Sequence, residues 1–449
     1  MPCGHGVLRY YGSLAWRSVH RSKALTALIV LLMGCGVATC MVTFAVFRAA
    51  SADPIPWKSG QLFAPQIDSF GPVHNWKGEP PQLLSYTDAV ALLQAHQARR
   101  QVLIYASKWT VLPNDAQHLP SSQEGDAVSH DFFAMFDAPF RYGGGWSAGD
   151  DEQRAAVVVI SSALNQKLFG GADSVGREIT LDAHAYRIVG VLDDWDPKPR
   201  FFDVSSAWFP FSHPRQVYLP FSRAIDLQKA ASTNFFCSAN APSPDLPTWD
   251  SILRSECVWI AAWVELPTRA DVVHYREWLR NYAAEQQRLG RFDWPPNVRL
   301  SDVRQWLDLP FNGVVPKASA LSMIVSFSFL LICLVNVVGL MLARFMRRAP
   351  EIGVRRALGA SRGAIYRQFL TEAAAIGLAG GLLGLLLTML GMAGVGSVFE
   401  PAVARLARLD ASLLLLTVLV AVLTTLIAAL YPTWRAAQVQ PAWQLKSNG

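Results

Sequence analysis

Four stretches of this 449-residue chain contain no Asp, Glu, Lys or Arg: residues 24–47, 318–343, 373–399 and 411–434, with lengths of 24, 26, 27 and 24. An α-helix rises about 1.5 Å per residue, so roughly 20 residues cross a hydrocarbon core of about 30 Å. Each stretch therefore predicts a transmembrane helix, and the chain reads as an integral membrane protein. Its net charge of +6 invites a search for nucleic acid, but only 16% of residues are charged, against about 25% in soluble domains. The distribution of that charge argues against the nucleic-acid reading.

Residues 1–23 carry four bases and no acid, 344–372 carries seven Arg against Glu351 and Glu372, and the tail 435–449 adds Arg435 and Lys446, for a total of +11. The 270 residues 48–317 carry −5, and the short loop 400–410 is neutral. The positive-inside rule places both termini and the 344–372 loop in the cytoplasm and 48–317 outside. Residues 8–23 mix Tyr10, Tyr11 and Trp16 with bases, as an interfacial helix or a plain topology signal would. Leu32-Met33-Gly34-Cys35 resembles a lipoprotein cleavage site. The apolar run continues 12 residues beyond Cys35, however, and cleaved apolar regions are usually about 7 to 15 long, so an uncleaved anchor is expected.

The domain 48–317 reads as α+β. Residues 86–100 predict a helix with Leu84, Val90, Leu92 and Leu93 as its apolar residues, and 101–105 a strand. In 155–191 a β-branched run precedes a short helix stopped at Gly170 and Gly171, then two strands around Asp182-Ala183-His184. Residues 258–266 predict a further strand and 271–289 a helix. Strand–helix units at both ends predict two related halves, with an irregular segment at 201–250. Cys237 and Cys257 are the only cysteines of this domain. In an oxidising compartment they are expected to form a disulfide, the alternative being two independent buried thiols.

Several chemistries lack their residues. No Gly-Lys dipeptide occurs, so the phosphate-binding GxxxxGK[ST] loop is absent from this sequence, and there is no HExxH or Cys-x-x-Cys. No catalytic constellation and no metal site is expected; Asp193, Asp194 and Asp196 lack calcium-loop spacing and read as a solvated turn. In the third apolar stretch, Gly377 with Gly381 and Gly380 with Gly384 form small-xxx-small pairs, suited to the second or fourth span of the same chain or to a dimer contact. Asn336, a polar side chain mid-membrane, is expected to bond a neighbouring helix.

The most informative segment is 344–387. A short amphipathic stretch with Ile352, Val354 and Leu358 apolar and Arg347, Arg348, Arg355, Arg356 and Arg362 exposed is broken at Gly359, and Ser361 can cap the helix that follows. The sequence EIGVRRALGAS (351–361), with its continuation GGLLGLLL (380–387), resembles the signature of the MacB/FtsX-like ABC transporter permease family. The tail Tyr431-Pro432-Thr433-Trp434-Arg435-Ala436-Ala437 resembles the family's C-terminus. Residues 157–160, Leu168-Phe169-Gly170, Val175-Gly176 and 187–191 resemble its external domain, with Ser174 where the family usually has Pro.

The resemblance implies a MacB-like periplasmic domain (48–317) inserted between transmembrane helix 1 (24–47) and helix 2 (318–343), helices 3 (373–399) and 4 (411–434), and a cytoplasmic loop (344–372) carrying a coupling helix. It implies a bacterial inner-membrane permease subunit, not itself an enzyme, that dimerises with a second copy or a paralogue and pairs with a cytoplasmic ABC ATPase. ATP and Mg would be bound by that partner and no cofactor by this chain. Glu351, Arg355 and Arg356 are the expected charged contacts with the ATPase, and Leu358 the apolar anchor. Export of a peptide, antibiotic or lipid-linked substrate through a periplasmic adaptor and outer-membrane channel is the expected role. The alternatives are regulation of a cell-wall hydrolase and a lipoprotein-release type of permease.

Overall fold

The structure, a computed structural model, describes residues 23–75, 77–112, 119–204, 211, 213–232, 235–237, 248–309, 317–398 and 410–438. The expected interfacial segment before residue 23, Cys3 and the tail from 439 lie outside them. The chain divides into two compact units: one of residues 52–314, the other of the sequence on either side.

The second unit holds four helices long and apolar enough to cross a membrane. They run Lys23–Ala50, Lys317–Met346, Arg362–Val398 and Ala411–Ala437, hereafter the first to fourth spans. Each overruns its charge-free stretch, the third most, because capping at Ser361 starts it ten residues before the last charge, Glu372: the Ala364 N–H donates to Ser361 Oγ at 3.2 Å. The first span touches the other three. Glycines set these approaches. A Cβ on Gly377 would stand 3.1 Å from Thr425 and Val422, and one on Gly381 3.2 Å from Ala421, all in the fourth span. On Gly380 it would stand 3.2 Å from Met33, and on Gly384 3.4 Å from Gly34, both in the first. Both small-xxx-small pairs are thus filled within the chain, one by a span the sequence reading did not consider. Asn336 differs from expectation: its side chain is exposed on the bundle surface and makes no hydrogen bond among the described residues.

The other unit is built on ten strands: β1 Leu62–Ile67, β2 Arg100–Leu112, β3 Ser121–Val128, β4 Phe140–Gly143, β5 Val157–Ile160, β6 Glu178–Leu181, β7 His184–Leu192, β8 Val217–Pro220, β9 Ala261–Glu265 and β10 Val298–Asp302. They form one sheet in the order β10-β1-β9-β2-β3-β8-β5-β7-β4, with β6 pairing both β2 and β7. The pairings β2–β3–β8–β5–β7–β6–β2 consequently close into a ring. Both ends of the segment feed this one sheet and one core rather than separate halves.

Local sequence explains the elements. Ser85 caps helix Tyr86–Ala95 by accepting from Asp88 N, and His96 ends it in a left-handed conformation, earlier than the sequence predicts. Ser161 caps Ser162–Phe169, which stops at Gly170 (φ +65°) because glycine carries no Cβ to clash there. Thr268 and Asp271 form a capping box on Arg269–Arg288. Asp182 and Ala183, both at positive φ, make the tight β6–β7 turn. The segment expected to be irregular, 201–250, contains β8 and the helix Phe221–Asp226, and a further helix, Trp249–Arg254, starts at its end.

Cys237 and Cys257 are disulfide-bonded, with Cα atoms 4.2 Å apart. An aromatic core surrounds Phe132, whose ring meets Phe133, Phe136, Trp195 and Phe202 edge-on. Trp263 and Trp306 hold the adjoining segment by donating from Nε1 to the carbonyls of Phe202 and Phe201, both at 3.0 Å. Full burial of such side chains contributes about 1.5–3 kcal/mol each.

Candidate functional site: the helical elbow between the second and third spans

Pro350 opens a short helix, Ala349–Ala357, immediately after the second span, at a position where its missing N–H costs nothing. Gly359 (φ +94°) ends it, with open space where a Cβ would lie, and the third span begins three residues later. Ala349, Ile352 and Gly353 are buried, whereas Val354 is 56% and Leu358 83% exposed. The sequence put Ile352, Val354 and Leu358 together as one apolar set. The structure separates them, one seated in the bundle and two exposed.

Charge fixes the elbow. Glu372, buried in the third span, accepts from Arg344 Nη2 at 2.6 Å on one oxygen and from Arg348 Nη1 at 2.9 Å on the other. Arg344, equally buried at the end of the second span, also donates to Thr26 Oγ1 of the first span at 2.7 Å. Arg348 approaches Glu351 at 3.6 Å; Glu351 accepts from Arg355 at 2.7 Å, and Arg355 reaches Gln368 of the third span at 3.0 Å. The Phe345 and Phe369 rings pack at 4.3 Å beneath Arg348. Arg344 of the second span and Arg348 at the N-cap of the short helix thus meet on one carboxylate of the third span, and Arg344 ties in the first span through Thr26. Removing one member of such a buried pair typically costs about 3–5 kcal/mol, because the other charge stays buried.

Of the residues expected to contact a partner, Glu351 and Arg355 are brought together and tied to the bundle, Arg356 is half-buried, and Leu358 stands clear. Arg347, Arg362 and Arg367 of the same segment are also exposed. Sequence reasoning missed Thr26, Arg344 and Glu372. The available signal was a single Arg closing one charge-free stretch and a single Glu opening another.

The unit of residues 52–314, hereafter the outer unit, carries its own buried charges. Arg215 donates to Asp203 at 2.9 Å and to Glu124 at 2.6 Å. Its Nε stands 2.9 Å from Asp126 Oδ1 but off the hydrogen-bonding axis, so neither Asp126 oxygen receives a hydrogen bond among the described residues. Burial pushes the Asp126 carboxyl up to about 7, with the Arg215 charge opposing and Asp203 adding to the rise. Asp196, read from sequence as solvated, pairs with Lys198 at 3.0 Å. Among the described residues no cluster suited to a metal ion occurs. A cleft of about 520 Å³ opens between Tyr86, Leu93, Arg100, His130, Asp151 and Phe221, within the range of small-molecule sites. A hydrogen bond to Asp151 raises the His130 pKa, against the opposing effect of burial.

Comparison with known proteins decides the family. The MacB-like periplasmic core domain matches residues 26–246, and the FtsX-like permease C-terminal domain matches 323–441. The chain belongs to the MacB/FtsX-like ABC transporter permease family. It is 27% identical to the pyoverdine export ATP-binding/permease protein PvdT of Pseudomonas savastanoi pv. phaseolicola, over 97% of this chain and 59% of that protein. It is 24% identical to the macrolide export ATP-binding/permease protein MacB of Rhodopirellula baltica, over 50% and 32%. The chain spans about three-fifths of the length of the PvdT relatives. The crystal structure of the periplasmic region of MacB from Actinobacillus actinomycetemcomitans aligns with 56% of this permease and 92% of that chain, with a TM-score of 0.35 and 11% identity.

Proposed function

We propose that this chain is the inner-membrane permease subunit of an ABC-type exporter, with its termini in the cytoplasm and its outer unit in the periplasm. It works as one of a pair with a separate ATPase that docks on Val354 and Leu358 and supplies ATP and Mg chemistry. The observation that carries this reading is the elbow: the short helix is clamped to the third span through Glu372 while its outward side exposes Leu358 at 83%. A partner that displaces the exposed side must move the clamped side, and with it the spans. The exposed Arg347, Arg362 and Arg367 suit an acidic rim on the ATPase.

The relatives' names, which specify pyoverdine and macrolide export, support cargo that is peptide-like, antibiotic-like or lipid-linked. Such cargo would be taken up outside the cytoplasm and passed to a periplasmic adaptor and outer-membrane channel. The cleft beside His130 is the candidate contact for it.

The test is ATP turnover by the ATPase copurified with this permease. Leu358→Asp puts a charge at the centre of the docking surface and is expected to lower permease-stimulated turnover at least about tenfold, which corresponds to about 1.4 kcal/mol of lost contact. Normal stimulated turnover in that variant would sink the docking assignment.

A further inference from the structure

A second cleft of the outer unit, about 320 Å³, opens among three loop segments, 54–57, 136–139 and 194–197. Its walls are aromatic and rich in proline: Trp57, Phe136, Trp195 and Phe201, with Pro54 and Pro197. Its charges are of one sign, because Asp137, Asp194 and Asp196 line it and, among the described residues, no Lys or Arg does. The cleft beside His130 provides the contrast, since Arg100 and Arg154 stand there among Asp131, Asp151 and Asp226.

The three carboxylates are not equally satisfied. Lys58, itself buried, donates to Asp137 Oδ1 at 3.1 Å, and Asp196 pairs with Lys198 at 3.0 Å. The Asp194 carboxylate is exposed and has no hydrogen bond or ion pair among the described residues. One negative charge is therefore left over in an aromatic cleft. Trp57 is 67% exposed, makes no ring contact among the described residues, and is held by its edge, Nε1–H donating to Asp137 Oδ2 at 3.1 Å. Trp195 gives one face to Phe202, nearly parallel at 5.4 Å. An indole fixed by its N–H edge keeps ring faces free, and those negative faces attract cations.

A hard metal ion does not suit this lining. Such ions need several converging oxygens, and no group of three or more candidate ligands occurs among the described residues. An organic cation does suit it, because ring faces and one carboxylate stabilise it without a closed shell of oxygens. The volume lies at the lower end of small-molecule sites, about 300–1,000 Å³, which fits an ammonium headgroup or an amine-bearing arm rather than a large molecule entire.

We propose that this cleft binds an alkylammonium group, with Trp57 and Trp195 receiving its carbon shell on their ring faces and Asp194 balancing its charge. Two sources carry that chemistry, the headgroup of a zwitterionic lipid and a free cationic compound. The site stands on its own residues and does not depend on an ATPase docking at Leu358.

The experiment uses the full chain in phosphatidylglycerol nanodiscs, with choline as the probe and its uncharged isostere 3,3-dimethylbutan-1-ol as the control. Both are followed by saturation-transfer NMR, with empty nanodiscs subtracted. Choline is expected to bind at least about tenfold more tightly than the alcohol. Trp57→Leu should weaken choline binding about five- to tenfold, with Trp57→Phe retaining most of it, and Asp194→Asn should weaken it about threefold. Both side chains are exposed, so the melting temperature should not change; if Trp57→Leu fails to fold, Asp194→Asn carries the test. Adding phosphatidylethanolamine to the nanodiscs separates the sources: loss of choline binding assigns the cleft to a lipid headgroup, and unchanged binding assigns it to a free cation. Equal binding of choline and the alcohol, no binding of choline in phosphatidylglycerol, or unaltered affinity in both Trp57→Leu and Asp194→Asn would overturn the proposal.

Discussion

Two clusters of buried charge differ in how completely their carboxylates are satisfied. In the bundle, both oxygens of Glu372 accept charged hydrogen bonds, one from Arg344 of the second span and one from Arg348 at the N-cap of the short helix. In the outer unit, Arg215 is shared among Asp203, Glu124 and Asp126, and Asp126 receives no hydrogen bond among the described residues. The first cluster is a joint whose members arrive from separate helices and are held in one geometry. The second is a plug in a domain core, with more acid than its arginines align with. An under-bonded buried carboxylate favours its protonated form.

The comparison can be broken from either side. The largest expected effect is Arg215→Met, which strands Asp126 in the core, takes one arginine from Asp203 and should destabilise the outer unit by about 3–5 kcal/mol, read as a lower denaturant midpoint by tryptophan fluorescence. Glu372→Gln keeps shape and one acceptor but removes the charge; it should cost the bundle about 1–3 kcal/mol and lower ATPase coupling, and unchanged stability would show that the joint is not held by charge.

Acidity sharpens the difference. Asp126 has a folded-state pKa of about 7, above the roughly 3.9 of an unfolded aspartate, so between these values the folded state binds the proton more tightly. Its contribution to stability is therefore present at low pH and lost as pH rises through about 7. The outer unit should lose stability between pH 5 and pH 7 from this source, and Asp126→Asn should flatten that slope in a pH series of denaturant melts. The smallest effect belongs to the half-exposed Glu351–Arg355 pair, where Glu351→Ala should cost only about 0.3–0.5 kcal/mol.

The spans were legible because a bilayer constrains composition directly: 24 or more residues without a charge have few other uses. Gly170 and the Asp182-Ala183 turn were legible because backbone at positive φ favours particular residues and marks ends. β8 was hidden: its four residues follow Pro214 among aromatics, and its parallel pairing with β3 is long-range. The elbow was half legible. Its helix, its break at Gly359 and its cap at Ser361 are local signals, but the Arg344–Glu372 pair joins residues 28 positions apart, each standing at the edge of an apolar run where it reads as loop charge. The outward turn of Val354 and Asn336 depends on which helix face packs, which composition does not specify.

The central claim is that Glu372 makes the short helix and the third span move as one body. Hydrogen–deuterium exchange of the full chain in lipid nanodiscs, followed over Ala349–Ala357 in the wild type and in Glu372→Gln, tests this most directly. We predict exchange in that helix at least about fivefold faster in the variant, the equivalent of about 1 kcal/mol, with the outer unit unaffected. Identical protection of Ala349–Ala357 in the two proteins would contradict the account.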